Sequence, residues 1–260
     1  MARQAQPTRG ISSDGAQIAQ WFSSLPVCTR FLLEATGTLT LVSGLGLLPG
    51  YHLLLLWELV TKQFQIWRLV TTFLVTRLSI NGFIHLVMLH RYSLAVEKEE
   101  FGGRTADYVW FLMVCMISML GMSWITQTML LANGLLLAIA TLWSLHRAEQ
   151  TVRFVFGITF PARYLPYALM ALNLLLNQGV FPFASFYGWL SAQAYYYLSV
   201  DLPARGGLNY IPTPQFVYRI FGQVHRSDPR STGIRMATLS NPVSQRPGGG
   251  HSWGQGRRLA

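Results

Sequence analysis

Between two strongly apolar segments the chain reads Phe64-Gln65-Ile66-Trp67-Arg68-Leu69-Val70-Thr71-Thr72. A guanidinium at the centre of a membrane span costs about 2.5 to 3.5 kcal/mol, so it is expected at an interface or beside a partner. The neighbouring indole favours the headgroup depth, because its ring is apolar and its N–H is polar. We therefore expect Trp67 and Arg68 to lie at a water–lipid boundary. An ordinary aromatic and basic anchor at a helix end is the simpler alternative.

The composition around this stretch is typical of an integral membrane protein. Of the 260 residues, 51% are hydrophobic, 13% are aromatic and 12% are charged. Soluble domains usually contain about twice that share of charged residues. The N-terminus lacks the apolar core and small-residue cleavage site of a signal peptide, so we expect the first span to act as an uncleaved insertion signal. The sequence predicts an all-α polytopic membrane protein.

The apolar segments predict a bundle of six spans. Residues 49–68 contain an apolar run that is too short to cross, so we expect this connection to dip into the interface. An amphipathic helix that carries Trp21 and Phe22 is expected to lie on the membrane surface before Pro26. The spans are expected at about residues 31–48, 69–90, 108–121 and 125–145, then in a segment ending near 177, and at 183–200.

The positions of the basic residues orient this bundle. Seventeen of the 20 Lys and Arg residues lie on the side of the two termini, and the other three are Lys62, Arg68 and Arg77. By the positive-inside rule both termini are cytosolic. Topology thus explains the net charge of +10, and we expect no nucleic-acid partner. The predicted units are a cytosolic arm (1–30), a rhomboid-like six-span domain (31–204) and a largely disordered cytosolic tail (205–260).

A rhomboid protease is the first enzyme class to test against such a bundle. Its serine lies in a Gly-x-Ser-Gly turn on span four and is activated by a histidine on span six, since a hydroxyl is a poor nucleophile without a base. This chain has no Gly-x-Ser-Gly, and the nearest match is Gly121-Met122-Ser123-Trp124. Its sixth span has no histidine. We predict a protein without this catalytic pair, and expect no metal or other cofactor.

Two spans carry polar residues that need partners inside a bundle. Asn81 and His85 are four residues apart on span two and share one helix face. On span six, Gly188 and Ala192 form a small-residue pair that lets another helix approach closely, and Gln193 follows them. A structural role is as reasonable for each of these residues as a functional one.

Several ordered motifs resemble those of the Derlin family, the catalytically inactive rhomboid relatives of endoplasmic reticulum quality control. The match covers nearly the whole chain. It includes the opening with Trp21-Phe22, the Trp67-Arg68 loop, Gly103-Arg104-Thr105-Ala106-Asp107-Tyr108, Phe156-Gly157-Ile158-Thr159-Phe160, Tyr164-Leu165-Pro166, Tyr195-Tyr196-Tyr197-Leu198 and Thr213-Pro214-Gln215-Phe216. The end of the chain, with Trp253, Gly254, Gly256 and Leu259, is similar to the SHP box with which some members bind a AAA ATPase of the valosin-containing protein type. One departure lies on span six, where the family usually has a second glycine and a histidine at the positions of Ala192 and Gln193.

The resemblance implies a non-catalytic factor of endoplasmic reticulum-associated degradation. It would reside in the endoplasmic reticulum membrane and help to move misfolded proteins to the cytosol, as a homo-oligomer or with a membrane ubiquitin ligase complex. Short third and fifth spans would thin the lipid bilayer, and Asn81, His85, Ser191 and Gln193 would line a polar path. We expect Arg68→Ala to impair substrate export more than protein abundance. An active rhomboid protease and, as a third possibility, a small-solute transporter are the alternatives.

Overall fold

The computed structural model of the chain describes residues 20, 22–153, 157–208 and 210–221. This part of the chain is mostly helical. The helices are, in chain order, α1 (Val27–Gly44), α2 (Trp57–Gln63), α3 (Arg68–Leu74), α4 (Ile80–Ala95), α5 (Thr105–Thr126), α6 (Ala132–His146), α7 (Leu165–Leu176), α8 (Phe183–Tyr196), α9 (Leu202–Ala204) and α10 (Gln215–Ile220). Short π-helical turns, Val96–Glu100 and Tyr197–Asp201, continue α4 and α8. The all-α bundle predicted from the sequence is confirmed at this level.

Helix α6 lies at the centre of the bundle. Twelve of its 15 residues are buried, and it contacts α4, α7 and α8. A helix that is apolar all round is expected in such a position, because no side of it has to face water. The side chains of Leu135, Leu137 and Ile139 are almost completely enclosed. The remaining long helices therefore pack around α6.

A two-stranded antiparallel hairpin follows α6, and the sequence analysis did not predict it. Strand β1 (Thr151–Arg153) pairs with β2 (Thr159–Pro161), with Val152 opposite Phe160. The strands are three residues long, which is too short to give a readable alternation of apolar and polar residues. The hairpin is continued by the 3₁₀ turn Ala162–Tyr164, which leads into α7.

The prediction of one continuous helix over residues 69–90, the second span, is wrong. Helix α3 ends at Leu74, Val75 is extended, and α4 begins only at Ile80. The hydroxyl of Ser79 accepts a hydrogen bond from the N–H of Gly82 and so caps the new helix. A Cβ atom on Gly82 would lie 2.1 Å from the Arg77 carbonyl oxygen, so this turn requires a glycine. The spacing of Ser79 and Gly82 was the signal for the break.

The predicted lengths of the third and fourth spans are also wrong. Helix α5 has 22 residues and continues through Gly121 to Thr126, whereas α6 has only 15 residues. Gln127 ends α5 in the left-handed conformation, with φ of 55°, and its N–H bonds to the carbonyl of Ser123. Glycine usually takes this position, so a glutamine there gives no sequence signal for the helix end.

Among the described residues, one helix, α5, is long and apolar enough to cross a membrane by length and composition. Helix α6 is apolar but shorter.

One buried carboxylate connects three of the helices at the predicted cytosolic end. Glu97, in the turn after α4, is fully buried and accepts hydrogen bonds from the backbone N–H groups of Cys28 and Thr29 at 3.2 and 2.8 Å. It also accepts bonds from the hydroxyls of Thr29 and Thr105. The first N–H groups of a helix lack internal partners and carry partial positive charge, so an anion is favoured there. Glu97 therefore caps α1 from another part of the chain.

Candidate functional site

A polar cavity of about 430 Å³ lies where the N-terminal ends of α4, α6 and α8 meet. Its wall combines apolar side chains of α7 and α8 with polar groups from six segments. The polar lining residues are Thr76, Arg77, Ser79, Asn81, His85, Thr128, Asn133, Asn177 and Ser185. Successive long helices run in opposite directions, so α4, α6 and α8, the second, fourth and sixth of them, begin at the same end of the bundle. This explains why their polar residues meet there.

Side-chain hydrogen bonds hold parts of this wall in place. The Nδ1 atom of His85 lies 3.1 Å from Oδ1 of Asn133, which joins α4 to α6. The amide of Asn173 donates to the hydroxyl of Ser185 at 3.1 Å, which joins α7 to α8. Sequence reasoning named His85 but predicted neither its bond to Asn133 nor the bond between Asn173 and Ser185. The signal was available, since each is a polar residue in an apolar helix and needs a buried partner.

The structure brings together only some of the polar residues that were expected to share a path. Asn81 and His85 both line the cavity. Ser191 lies farther along α8, where its hydroxyl donates to the carbonyl of Tyr187 at 2.7 Å. Gln193 is half-buried, and none of the described residues forms a hydrogen bond with its side chain. The polar residues of span six are thus divided between two regions.

The small residues of α8 allow its backbone to lie directly against the backbone of α6. A Cβ atom on Gly188 would lie 1.9 Å from the carbonyl oxygen of Gly134. In turn, a Cβ atom on Gly134 would lie 2.4 Å from the carbonyl oxygen of Ala184. Ala192, one turn after Gly188, is completely buried. This close approach fixes the N-terminal ends of α6 and α8, which form one wall of the cavity.

The side chain of Arg68 is enclosed by the protein, in contacts that the sequence analysis did not predict. Its side chain is fully buried. Nε donates to Oε1 of Gln65 at 2.6 Å, and Nη1 donates to the carbonyl oxygens of Tyr51 and Leu54 at 2.5 and 2.7 Å. The partners of Nε and Nη1 are thus neutral oxygens rather than a carboxylate. Trp67 differs from its neighbour, because 55% of its surface is exposed.

At the opposite end of the bundle, the start of the tail is attached to α5. The Oδ1 atom of Asp107 accepts hydrogen bonds from the hydroxyls of Thr213, at 2.8 Å, and Tyr218. Arg104 lies 3.2 Å from the other carboxylate oxygen. Burial and the bond to Asp107 raise the pKa of Tyr218 to about 12. Sequence analysis quoted these residues in two separate motifs but did not predict that the motifs meet.

A serine protease needs a histidine within hydrogen-bond reach of its serine. The rings of His85 and His146 pair with Asn133 and with the carbonyl of Leu142 rather than with a serine hydroxyl. Within the described part of the chain, no group of three or more His, Cys, Asp or Glu residues could hold a metal ion. The ATPase-binding residues Trp253, Gly254, Gly256 and Leu259 lie outside the described residues, as does Trp21 of the proposed surface helix.

Comparison with known proteins gives consistent matches along the chain. The model of the Der1-like family matches residues 25–215. Derlin-1 of Homo sapiens is 34% identical over 250 residues, covering 94% of this chain and 98% of the relative. Derlin-1 of Arabidopsis thaliana is 36% identical over 208 residues, covering 77% and 76%. Derlin-2.1 of Zea mays is 30% identical over 231 residues, covering 84% and 92%. The family resemblance of the sequence motifs is thereby confirmed, and the chain belongs to the Der1-like family.

Proposed function

We propose that this protein is a non-catalytic membrane factor of endoplasmic reticulum-associated degradation that helps to move misfolded proteins to the cytosol. Family membership supports a role of this type. In this proposal the six longest helices cross the endoplasmic reticulum membrane, with both termini in the cytosol. The tail recruits a AAA ATPase of the valosin-containing protein type, and a membrane ubiquitin ligase complex or further copies of the chain complete the machinery.

The observation that carries the proposal is the polar cavity at the ends of α4, α6 and α8. Polypeptide backbone groups that enter lipid without partners cost several kcal/mol each, so an export factor has to offer polar groups within the membrane. Asn81, Asn133 and Asn177 supply carboxamides, which pair with peptide groups as both donors and acceptors. A bundle packed only with apolar side chains would offer no such path.

Short helices support the second part of the proposed mechanism, local thinning of the bilayer. At a rise of about 1.5 Å per residue, α6 and α7 are roughly 22 and 18 Å long, against a hydrocarbon core of about 27 to 30 Å. The sequence analysis attributed thinning to the third and fifth spans. The third, α5, has 22 residues and is long enough to cross, so α6 takes its place in the proposal.

The proposal is tested by the lifetime of a misfolded lumenal reporter in cells that lack the protein and are supplied with variants of it. Asn81→Leu removes a half-buried carboxamide from the cavity wall. Gln193→Leu makes the same chemical change at a half-buried position on α8 outside the cavity, and is the matched control. We expect the reporter to persist with Asn81→Leu as it does without the protein, and to be degraded normally with Gln193→Leu. Normal degradation with both variants would contradict the role of the cavity.

A further inference from the structure

Helix α10 presents apolar side chains on two of its sides. Val217 and Tyr218 are buried and pack against α5. Phe216 and Ile220 are four residues apart, so they share another side of the helix. On that side 54% of the surface of Phe216 and 72% of the surface of Ile220 are exposed. Contact with α5 therefore accounts for only part of the apolar surface of this helix.

The position of α10 along α5 places the exposed pair near the membrane surface in the proposed six-span arrangement. The cluster that packs with α10 includes Ala106, Trp110 and Met113 of α5. These residues lie within the first nine positions of α5, the helix that is long and apolar enough to cross a membrane. At about 1.5 Å per residue, α10 therefore lies beside roughly the first 13 Å of α5. Interfacial amphipathic helices bury their apolar face about 5 to 10 Å deep, so the position of α10 suits such a helix.

The third side of α10 is polar and carries a positive charge. Gln215 and Arg219, which are also four residues apart, are both exposed. The carboxylate of Asp107, which accepts a bond from Tyr218, is buried and pairs with Arg104 at 3.2 Å. The negative charge is thus neutralised within the protein, whereas the charge of Arg219 stays on the surface. A cation beside an exposed apolar pair suits the anionic headgroups of the cytosolic leaflet.

We propose that α10 is an interfacial helix, in which Phe216 and Ile220 insert into the cytosolic leaflet of the endoplasmic reticulum membrane. Val217 and Tyr218 hold the helix on α5, and Arg219 lies among the lipid headgroups. The inference rests on the proposed function, because it requires α5 to cross the membrane. It moves the end of the proposed membrane domain from residue 204 to about residue 221, so the cytosolic tail starts from a fixed point beside α5.

The experiment labels single positions of the full chain in vesicles of phosphatidylcholine and phosphatidylinositol. Both native cysteines, Cys28 and Cys115, are buried, so a cysteine introduced on the surface can be labelled selectively with an environment-sensitive fluorophore. Phe216→Cys and Ile220→Cys carry the label on the proposed membrane side, and Gln215→Cys carries it on the polar side as the matched control. We expect blue-shifted emission from the first two variants, and quenching by nitroxide-labelled lipids several-fold stronger than in the control. Iodide in the buffer should quench the three labels in the opposite order.

A label at Ile117 separates this inference from the function on which it rests. Ile117 lies near the middle of α5 and is 67% exposed, so the label of Ile117→Cys should be quenched by lipid and not by iodide if α5 crosses the membrane. Iodide quenching at Ile117 would overturn the six-span arrangement, and this inference with it. Lipid quenching at Ile117 together with iodide quenching at Phe216 and Ile220 would overturn the interfacial helix alone. Protection of Phe216 and Ile220 from both quenchers would also overturn it, because protein would then cover them, and loss of that protection on dilution with excess lipid would identify a second copy of the chain.

Discussion

Arg68 shows how a helical bundle holds a buried charge without an acidic partner. Its Nε and Nη1 atoms donate to the side-chain oxygen of Gln65 and the carbonyl oxygens of Tyr51 and Leu54. These carbonyls belong to a stretch with little regular structure, whose backbone groups need partners from elsewhere. The arginine therefore fixes the loop between α1 and α2. Arg68 thus contributes to the structure of this loop, whereas Trp67 beside it is exposed.

Replacing this arginine should lower the stability of the protein. Arg68→Ala leaves the carbonyl oxygens of Tyr51 and Leu54 without their donor, and each unsatisfied buried group costs about 1 to 3 kcal/mol. We expect a clear fall in the midpoint of thermal unfolding in detergent, and reduced abundance together with reduced export. Lys62→Ala is the control, because Lys62 is exposed and its pairing with Glu58 at 3.6 Å should contribute less than about 1 kcal/mol. Impaired export with unchanged stability would instead favour the sequence-based expectation for Arg68.

The hydrogen bonds of Glu97 lead to a second prediction about a single residue. Its carboxylate accepts hydrogen bonds from the N-terminal N–H groups of α1 and from Thr105, which begins α5. Glu97→Gln keeps the shape but replaces one acceptor oxygen by a donor, so at least one of these contacts becomes unfavourable. We expect a loss of about 1 to 3 kcal/mol in unfolding free energy, measured by denaturant titration of the detergent-solubilised protein. Glu149→Gln, at an exposed glutamate, should change it little, and an equal loss in both variants would argue against the cap.

At the scale of elements, the contact between α6 and α8 leaves no room for a side chain at Gly188. Gly188→Ala would place its Cβ atom on the carbonyl oxygen of Gly134, so one helix has to move. Overpacking of this kind costs about 1 to 3 kcal/mol and should also open the adjoining cavity wall. Gly121→Ala in α5 meets no atom within 4 Å and is the matched control, expected to be neutral or slightly stabilising. Thermal unfolding of the two purified variants distinguishes these outcomes, and equal effects would contradict the close contact.

The attachment of α10 to α5 predicts a change at alkaline pH. Burial and the bond to Asp107 raise the pKa of Tyr218 to about 12, above its unfolded value near 10. A group with a raised folded pKa contributes its stability fully below the unfolded pKa, and that contribution is lost as the pH rises through the folded pKa. We expect α10 to stay attached up to about pH 10 and to detach as the pH approaches 12. Proteolysis after pH jumps would detect the detachment.

Tyr218→Phe supplies the control for this transition. The variant keeps the ring that packs with Val217 and Ala106 but removes the hydroxyl that donates to Asp107. Its attachment should be weaker at neutral pH and should show no titration between about pH 10 and 12, since phenylalanine has no ionisable group. A transition of the same size in both proteins would assign the pH dependence to another group.

At the scale of the whole molecule, periodicity and composition predicted the helical bundle, because apolar content is a local property of the sequence. They did not predict where α4 begins or where α5 ends, since Ser79 and Gln127 act through backbone geometry that a window average does not detect. Of the four residues expected to line a polar path, only Asn81 and His85, which share one helix, lie at the cavity. Asn133 and Ser185 join it from distant parts of the chain, and such contacts require the packing of helices to be known.

The unequal helix lengths lead to a prediction about the membrane itself. In the proposed six-span arrangement α5 is roughly 33 Å long, whereas α6 and α7 are roughly 22 and 18 Å, so no uniform bilayer matches all three. Because α6 is enclosed by its neighbours, the mismatch falls on α7, whose exposed residues include Tyr167 and Leu175. We expect the protein to unfold at the highest temperature in phosphatidylcholine vesicles with shorter acyl chains. Inserting one helical turn of leucines after Leu174 should move that optimum to longer chains, because it extends the short helix. If the optimum stayed at the chain length that matches α5 in both proteins, α7 would not set the local thickness and the thinning proposal would be wrong.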